Sequence, residues 1–108
     1  MNLMADLQAV AGRWAEEHSR RNPGVTLKTL GARTVRDVKL FPRIEAGRPI
    51  TVPIFEKVAG YLGKPENWPA ETIPEDAANR LALLGVDVPG FAVVIERAMV
   101  ERKLVVRA

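Results

Sequence analysis

Two helix starts of the same design stand 25 residues apart in this 108-residue chain, and they fix most of what it can fold into. At the first, Thr26 is an N-cap, with Val25 just before it and Leu30 at the fourth helical position. An N-cap hydroxyl accepts a bond from a free amide of the first turn, and the flanking apolar pair closes over that turn as a hydrophobic staple. The second start repeats the device at Thr51, between Ile50 and Phe55. It opens a helix to about Leu62, with Phe55, Val58, Ala59 and Leu62 on one face and Gly63 closing it. The two starts frame the stretch between them.

That stretch reads as a further helix over residues 36–46, ended by Gly47. At 100° per residue Val38, Phe41 and Ile44 share a core-facing side, with Leu40 at its border. Arg36, Lys39 and Arg43 fall on the opposite side. Pro42 inside a helix would cost about 3 kcal/mol. With Asp37 or Val38 as N-cap it lies near the first turn instead, so this helix is expected to start late and be short.

Helical signals also flank the pair. Residues 3–18 place Leu3, Leu7, Val10 and Trp14 on one stripe, with Met4, Ala11 and Ala15 beside it. Arg20 and Arg21 suit a helix C-terminus, and Asn22-Pro23-Gly24 stops it. Residues 64–74, with Pro65, Pro69 and Pro74, read as an extended connector whose Trp68 packs back on the core. Thr72-Ile73-Pro74-Glu75 fits a capping box that opens a helix to Leu84, with Gly85 as its stop. A last helix spans about Pro89 to Lys103, with Phe91, Val94, Ile95, Ala98 and Met99 on its apolar side; Leu104 to Arg107 continue it or form a short strand. The expected fold is all-α.

Composition excludes several chemistries. With 47% hydrophobic and 27% charged residues the chain is globular. The absence of cysteine removes disulfides, thiolate nucleophiles, thiolate zinc sites and iron–sulfur clusters. One histidine, His18, beside the one serine, Ser19, makes no nucleophile–base pair, because neighbours on a helix point apart. Glu16-Glu17 and Glu75-Asp76 diverge for the same reason and read as solvated helix faces. No glycine-rich phosphate loop is present. The expectation is a non-enzymatic protein without cofactor or metal. No apolar run approaches the roughly 20 residues of a membrane span, and the first residues lack a secretory pattern, so the expected location is the cytoplasm.

Charge supplies the functional lead. The net charge of +3 hides an uneven spread. Residues 1–64 carry 11 Lys+Arg against 6 Asp+Glu, and residues 65–108 carry 5 against 7. Over residues 20–48 the count is 8 against 2, a net of +6. A basic patch confined to one part of a small chain suits a polyanion, nucleic acid first, or is simply a solvated face.

The residues from Thr26-Leu27-Lys28-Thr29-Leu30-Gly31 through Phe41-Pro42-Arg43-Ile44-Glu45-Ala46-Gly47-Arg48 to Phe55-Glu56-Lys57-Val58-Ala59-Gly60-Tyr61-Leu62 resemble the lambda-repressor-like helix-turn-helix proteins of the xenobiotic-response-element (XRE) family. In that family a Leu-Ala pair is followed fifteen residues on by an Ile-Glu-x-Gly ending; Leu30 to Glu45 keeps that spacing, and Ile44 to Gly47 matches the ending. The resemblance covers roughly residues 3–69, and Asn67-Trp68-Pro69 is similar to the tail of small phage and prophage versions. Four positions depart from the pattern. Leu27 stands for a phosphate-touching glutamine, Gly31 for alanine, Val35 for the turn glycine and Pro42 for a polar base-contacting residue. Val35 therefore predicts a turn without a left-handed residue.

The resemblance implies a four- to five-helix domain over residues 1–64, which the residue pattern follows with a proline-rich connector over 65–74 and a helical C-terminal extension over 75–108. It implies a sequence-specific regulator of double-stranded DNA, such as a repressor, whose helix 36–46 enters the major groove. Arg36, Lys39 and Arg43 would face the bases, with Pro42 against a thymine methyl. Thr26, Lys28, Arg33 and Arg48 would hold phosphates. Glu45 is expected on the inner side of its helix as a partner for an arginine such as Arg33. Two-fold symmetric operators call for a homodimer, with residues 75–108 as the pairing segment; the same segment alternatively completes the monomer core. Two other readings stand beside this one. The helical fold could serve a protein partner, as an anti-repressor or adaptor, and residues 75–107 faintly resemble a second helix-turn-helix with a wing.

Overall fold

The computed structural model describes residues 3–86, and among them the chain is all-helical. The order is α1 (Leu3–Ser19), α2 (Leu27–Val35), α3 (Leu40–Glu45), α4 (Val52–Leu62), two single 3-10 turns at Pro65–Asn67 and Pro69–Glu71, and α5 (Glu75–Leu83). The expected helix over 89–103, its apolar side and the segment 104–107 lie outside the described residues.

Helix α1 is the axis of the core. Leu7, Val10, Ala11 and Trp14 are fully buried, as their spacing predicts, whereas Leu3 at the end of the stripe is 48% exposed. Helices α2, α4 and α5 all pack on α1. The first staple forms as expected, with Val25 and Leu30 both buried. The Thr26 amide donates to Thr29 Oγ1 at 3.1 Å. At the second, Thr51 Oγ1 accepts from the Ile54 amide at 3.4 Å.

Helix α5 is part of this same core. Ala77, Ala78 and Leu81 are buried against α1. Ion pairs flank the seam, Arg80 to Asp6 at 2.9 Å and Arg13 to Asp76 at 3.2 Å, so the two helices run in opposite directions. Desolvation pulls the Arg13 guanidinium down, but the charges of Asp76, Glu17 and Glu16 outweigh it and leave Arg13 above its ordinary value. The capping box expected at Thr72 does not form. Thr72 Oγ1 donates to the Ala70 carbonyl instead, and Pro74 occupies the N-cap with no side-chain bond.

The connector is folded, not extended, and two indoles hold it. Trp68 is buried and its Nε1–H donates to the Leu62 carbonyl at 2.7 Å. Trp14 Nε1–H donates to the Asn67 carbonyl at 2.8 Å, and His18 Nε2 meets the same oxygen at 2.9 Å. Asn67 Nδ2 reaches back to the Tyr61 carbonyl. Each of these bonds satisfies a polar group that burial would otherwise penalise. His18 is thus a half-buried helix-end residue stacked on Trp14, their rings 4.3 Å apart.

Candidate nucleic-acid interface

The turn between α2 and α3 sets the geometry of the basic face. Helix α2 stops at Val35, and Arg36 adopts the left-handed conformation at φ 57°, ψ 37°. The Arg36 amide bonds Ala32 O and the Asp37 amide bonds Gly31 O, both at 3.1 Å, which satisfies the last carbonyls of the helix. The expectation of a turn without a left-handed residue is therefore corrected: that role falls to Arg36, one position after Val35. The turn lies so close to α2 that a β-carbon on Gly31 would come within 2.3 Å of the Asp37 carbonyl oxygen.

Helix α3 is short and starts late, as expected, but its N-cap is Lys39, one or two residues beyond the expected Asp37 or Val38. The helix therefore opens at Leu40 and not at residue 36. Asp37 Oδ1 accepts from the Lys39 amide at 2.9 Å, and the Asp37 carbonyl accepts from the Leu40 amide at 3.3 Å. These bonds hold residues 37–39 as a turn that delivers the chain into the helix. Pro42 then occupies the third helical position, where no intrahelical bond needs its missing amide. The late start rotates the inner face. Leu40, Phe41 and Ile44 are buried, and Val38, expected in the core, is 50% exposed.

The eight residues singled out from the sequence are all exposed, and five of them line one open depression. Lys28 from α2, Lys39, Pro42 and Arg43 from α3 and Arg48 beyond it surround about 520 Å³, together with Val38 and Ala46. Four cations and no carboxylate line this groove. Lys28, Lys39 and Arg48 have no ion pair among the described residues. Arg13 of α1, Arg20 just beyond it and Arg80 of α5 are paired: Arg13 with Glu17 and Asp76, Arg20 with Glu16 and Glu17, Arg80 with Asp6. Arg43 pairs with Asp37, so three of the four groove cations are uncompensated, and together they raise the local concentration of anions.

Three of the eight lie elsewhere. Thr26 lines an adjoining depression with Leu27, Phe41 and Pro42. Arg33 projects toward the core aromatic cluster, its guanidinium 5.7 Å from the Trp14 ring centre. Arg36 sits in the turn, so the expected row of Arg36, Lys39 and Arg43 on a single helix face is broken after its first member. Glu45 is exposed and makes no ion pair among the described residues, which corrects its expected inward pairing with Arg33.

One residue of the site was not legible as such. Asp37 reads in the sequence only as an N-cap for α3, yet its second carboxylate oxygen forms an ion pair with Nη2 of Arg43. The i, i+6 spacing gives no signal on a regular helix; it is the turn that brings the two together. Among the described residues no cluster of histidine, aspartate or glutamate could hold a metal ion, and no helix is long and apolar enough to cross a membrane. No family model, curated protein or solved structure matches this chain.

Proposed function

We propose that the protein is a cytoplasmic, sequence-specific binder of double-stranded DNA that acts as a transcriptional regulator. The single observation that carries this reading is the convergence of Lys28, Lys39, Arg43 and Arg48 on one groove free of carboxylates. Lys28, Lys39 and Arg48 supply phosphate contacts, which position the protein without reading sequence. Arg43, in the last turn of α3, is the residue suited to a guanine edge, with Pro42 beside it for a thymine methyl. A homodimer paired through residues 75–108 would double this modest surface. Within the described part of that segment, Leu83 is 53% exposed on α5.

Titration against duplex DNA at two salt concentrations tests the reading. Phosphate neutralisation makes log affinity fall linearly with log salt, by nearly one unit of slope per contact. A steep slope, and a larger loss on the preferred duplex than on random duplex for Arg43→Ala, are the expected results. No measurable duplex binding at low salt would sink it.

A second reading has its own observation. Val25, Leu27, Phe41 and Pro42 line a mostly apolar depression of about 560 Å³, edged by Glu16 and Glu45. A groove of that character suits a partner protein, and loss of duplex binding together with retention of such a partner would favour it.

A further inference from the structure

The structure carries one relationship that neither charge nor helical periodicity announces. Asp37 is fixed at four points. Its amide donates to Gly31 O, its carbonyl accepts from the Leu40 amide, one carboxylate oxygen accepts from the Lys39 amide, and the other pairs with Arg43 Nη2. Its side chain is 29% exposed, against 45% for that of Arg43.

We propose that Asp37 is a positioning residue that sets the base preference of Arg43. The inference rests on the DNA-binding reading above and names the residue that gives it specificity. A free arginine on a basic surface finds phosphates as readily as bases, and contacts to phosphate carry no sequence information. A carboxylate anchored to the turn removes that freedom. It holds Nη2 of the guanidinium while Arg43 lines the groove, so the remaining N–H groups of the planar fork stay available to a base. Binding then loses less side-chain freedom, because the arginine is already oriented. The same negative charge, placed beside a phosphate-binding groove, repels the backbone wherever the correct base is not in reach.

Asp37→Asn separates these effects from folding. The amide oxygen still accepts from the Lys39 amide, so the start of α3 is kept, while the charge that holds Arg43 is gone. A library of random duplexes is selected against the full chain, its Asp37→Asn variant, Arg43→Ala and Arg43→Lys, with thermal melting of each protein recorded alongside. The base pairs at which Arg43→Ala loses preference identify what Arg43 reads. At those positions Asp37→Asn should lose preference by about fivefold or more. Its affinity for random duplex should hold or rise, and its melting temperature should stay near that of the parent. Arg43→Lys keeps the charge and Asp37 but loses the fork, and should flatten the same positions.

An Asp37→Asn variant that keeps the parental preference overturns the proposal and leaves DNA binding standing. A variant whose preference sharpens also overturns it, because Asp37 then only withholds Arg43 from DNA. If the parent chain selects no duplex at all, the DNA-binding reading fails and the role of Asp37 falls with it.

Discussion

The carbonyl oxygen of Asp37 lies 2.3 Å from the point where a β-carbon on Gly31 would stand. Helix propensity alone favours Gly31→Ala by about 1 kcal/mol. The contact reverses that sign, since the obstructing atom is backbone and the turn carrying it is bonded on both sides. Gly31→Ala is expected to destabilise the fold by about 1–3 kcal/mol in urea unfolding. Gly12→Ala, in α1 with nothing within 4 Å of the new carbon, should instead stabilise by up to about 1 kcal/mol. Equal effects at the two glycines would refute the close approach.

Trp68→Phe keeps most of the buried ring but removes the donor to the Leu62 carbonyl. That carbonyl belongs to the last turn of α4, where intrahelical amides have run out. An orphaned buried acceptor costs about 1–3 kcal/mol, so denaturant unfolding should show a loss in that range. Trp14→Phe should lose less through hydrogen bonding, because the Asn67 carbonyl keeps His18 as a second partner.

Charge removal should depend on location. Lys28→Ala and Arg48→Ala line the groove, and each should lower the slope of log affinity against log salt by about 1. Arg33→Ala removes the same charge from the side of Trp14 and should leave the slope unchanged. A slope that drops equally for all three would mean that net charge, not the groove, drives binding.

The helices were legible because their signals are local. Thr26 and Thr51 with their apolar neighbours mark helix starts wherever they occur, and the Leu7–Val10–Trp14 spacing admits one periodicity. Residues 36–39 were misplaced because two effects compete there. Periodicity extends the helix backward through Val38, whereas Asp37 bonds its own neighbourhood and diverts the chain into a turn. The connector failed for another reason. Its prolines say extended, whereas local bonds close two turns, Trp68 reaches back to Leu62, and the distant Trp14 of α1 holds Asn67 in place. Within the site, composition and spacing marked the basic stretch and the Arg36, Lys39, Arg43 row, and the family resemblance implied Lys28 and Arg48. The Asp37–Arg43 pair depends on a left-handed residue at position 36, and non-glycine residues seldom announce that conformation.

The seam between α1 and α5 joins residues 74 apart in sequence, Asp6 and Arg80. On a ribosome adding roughly 5–20 residues per second, α1 therefore waits about 4 to 15 seconds for the helix that covers it. During that interval Leu7, Val10 and Trp14 lack the cover of Ala77, Ala78 and Leu81. The basic groove, encoded between residues 28 and 48, leaves the tunnel earlier than the brace that steadies its scaffold. A nascent chain thus carries the charges of its basic groove before α5 arrives to cover the remaining face of α1.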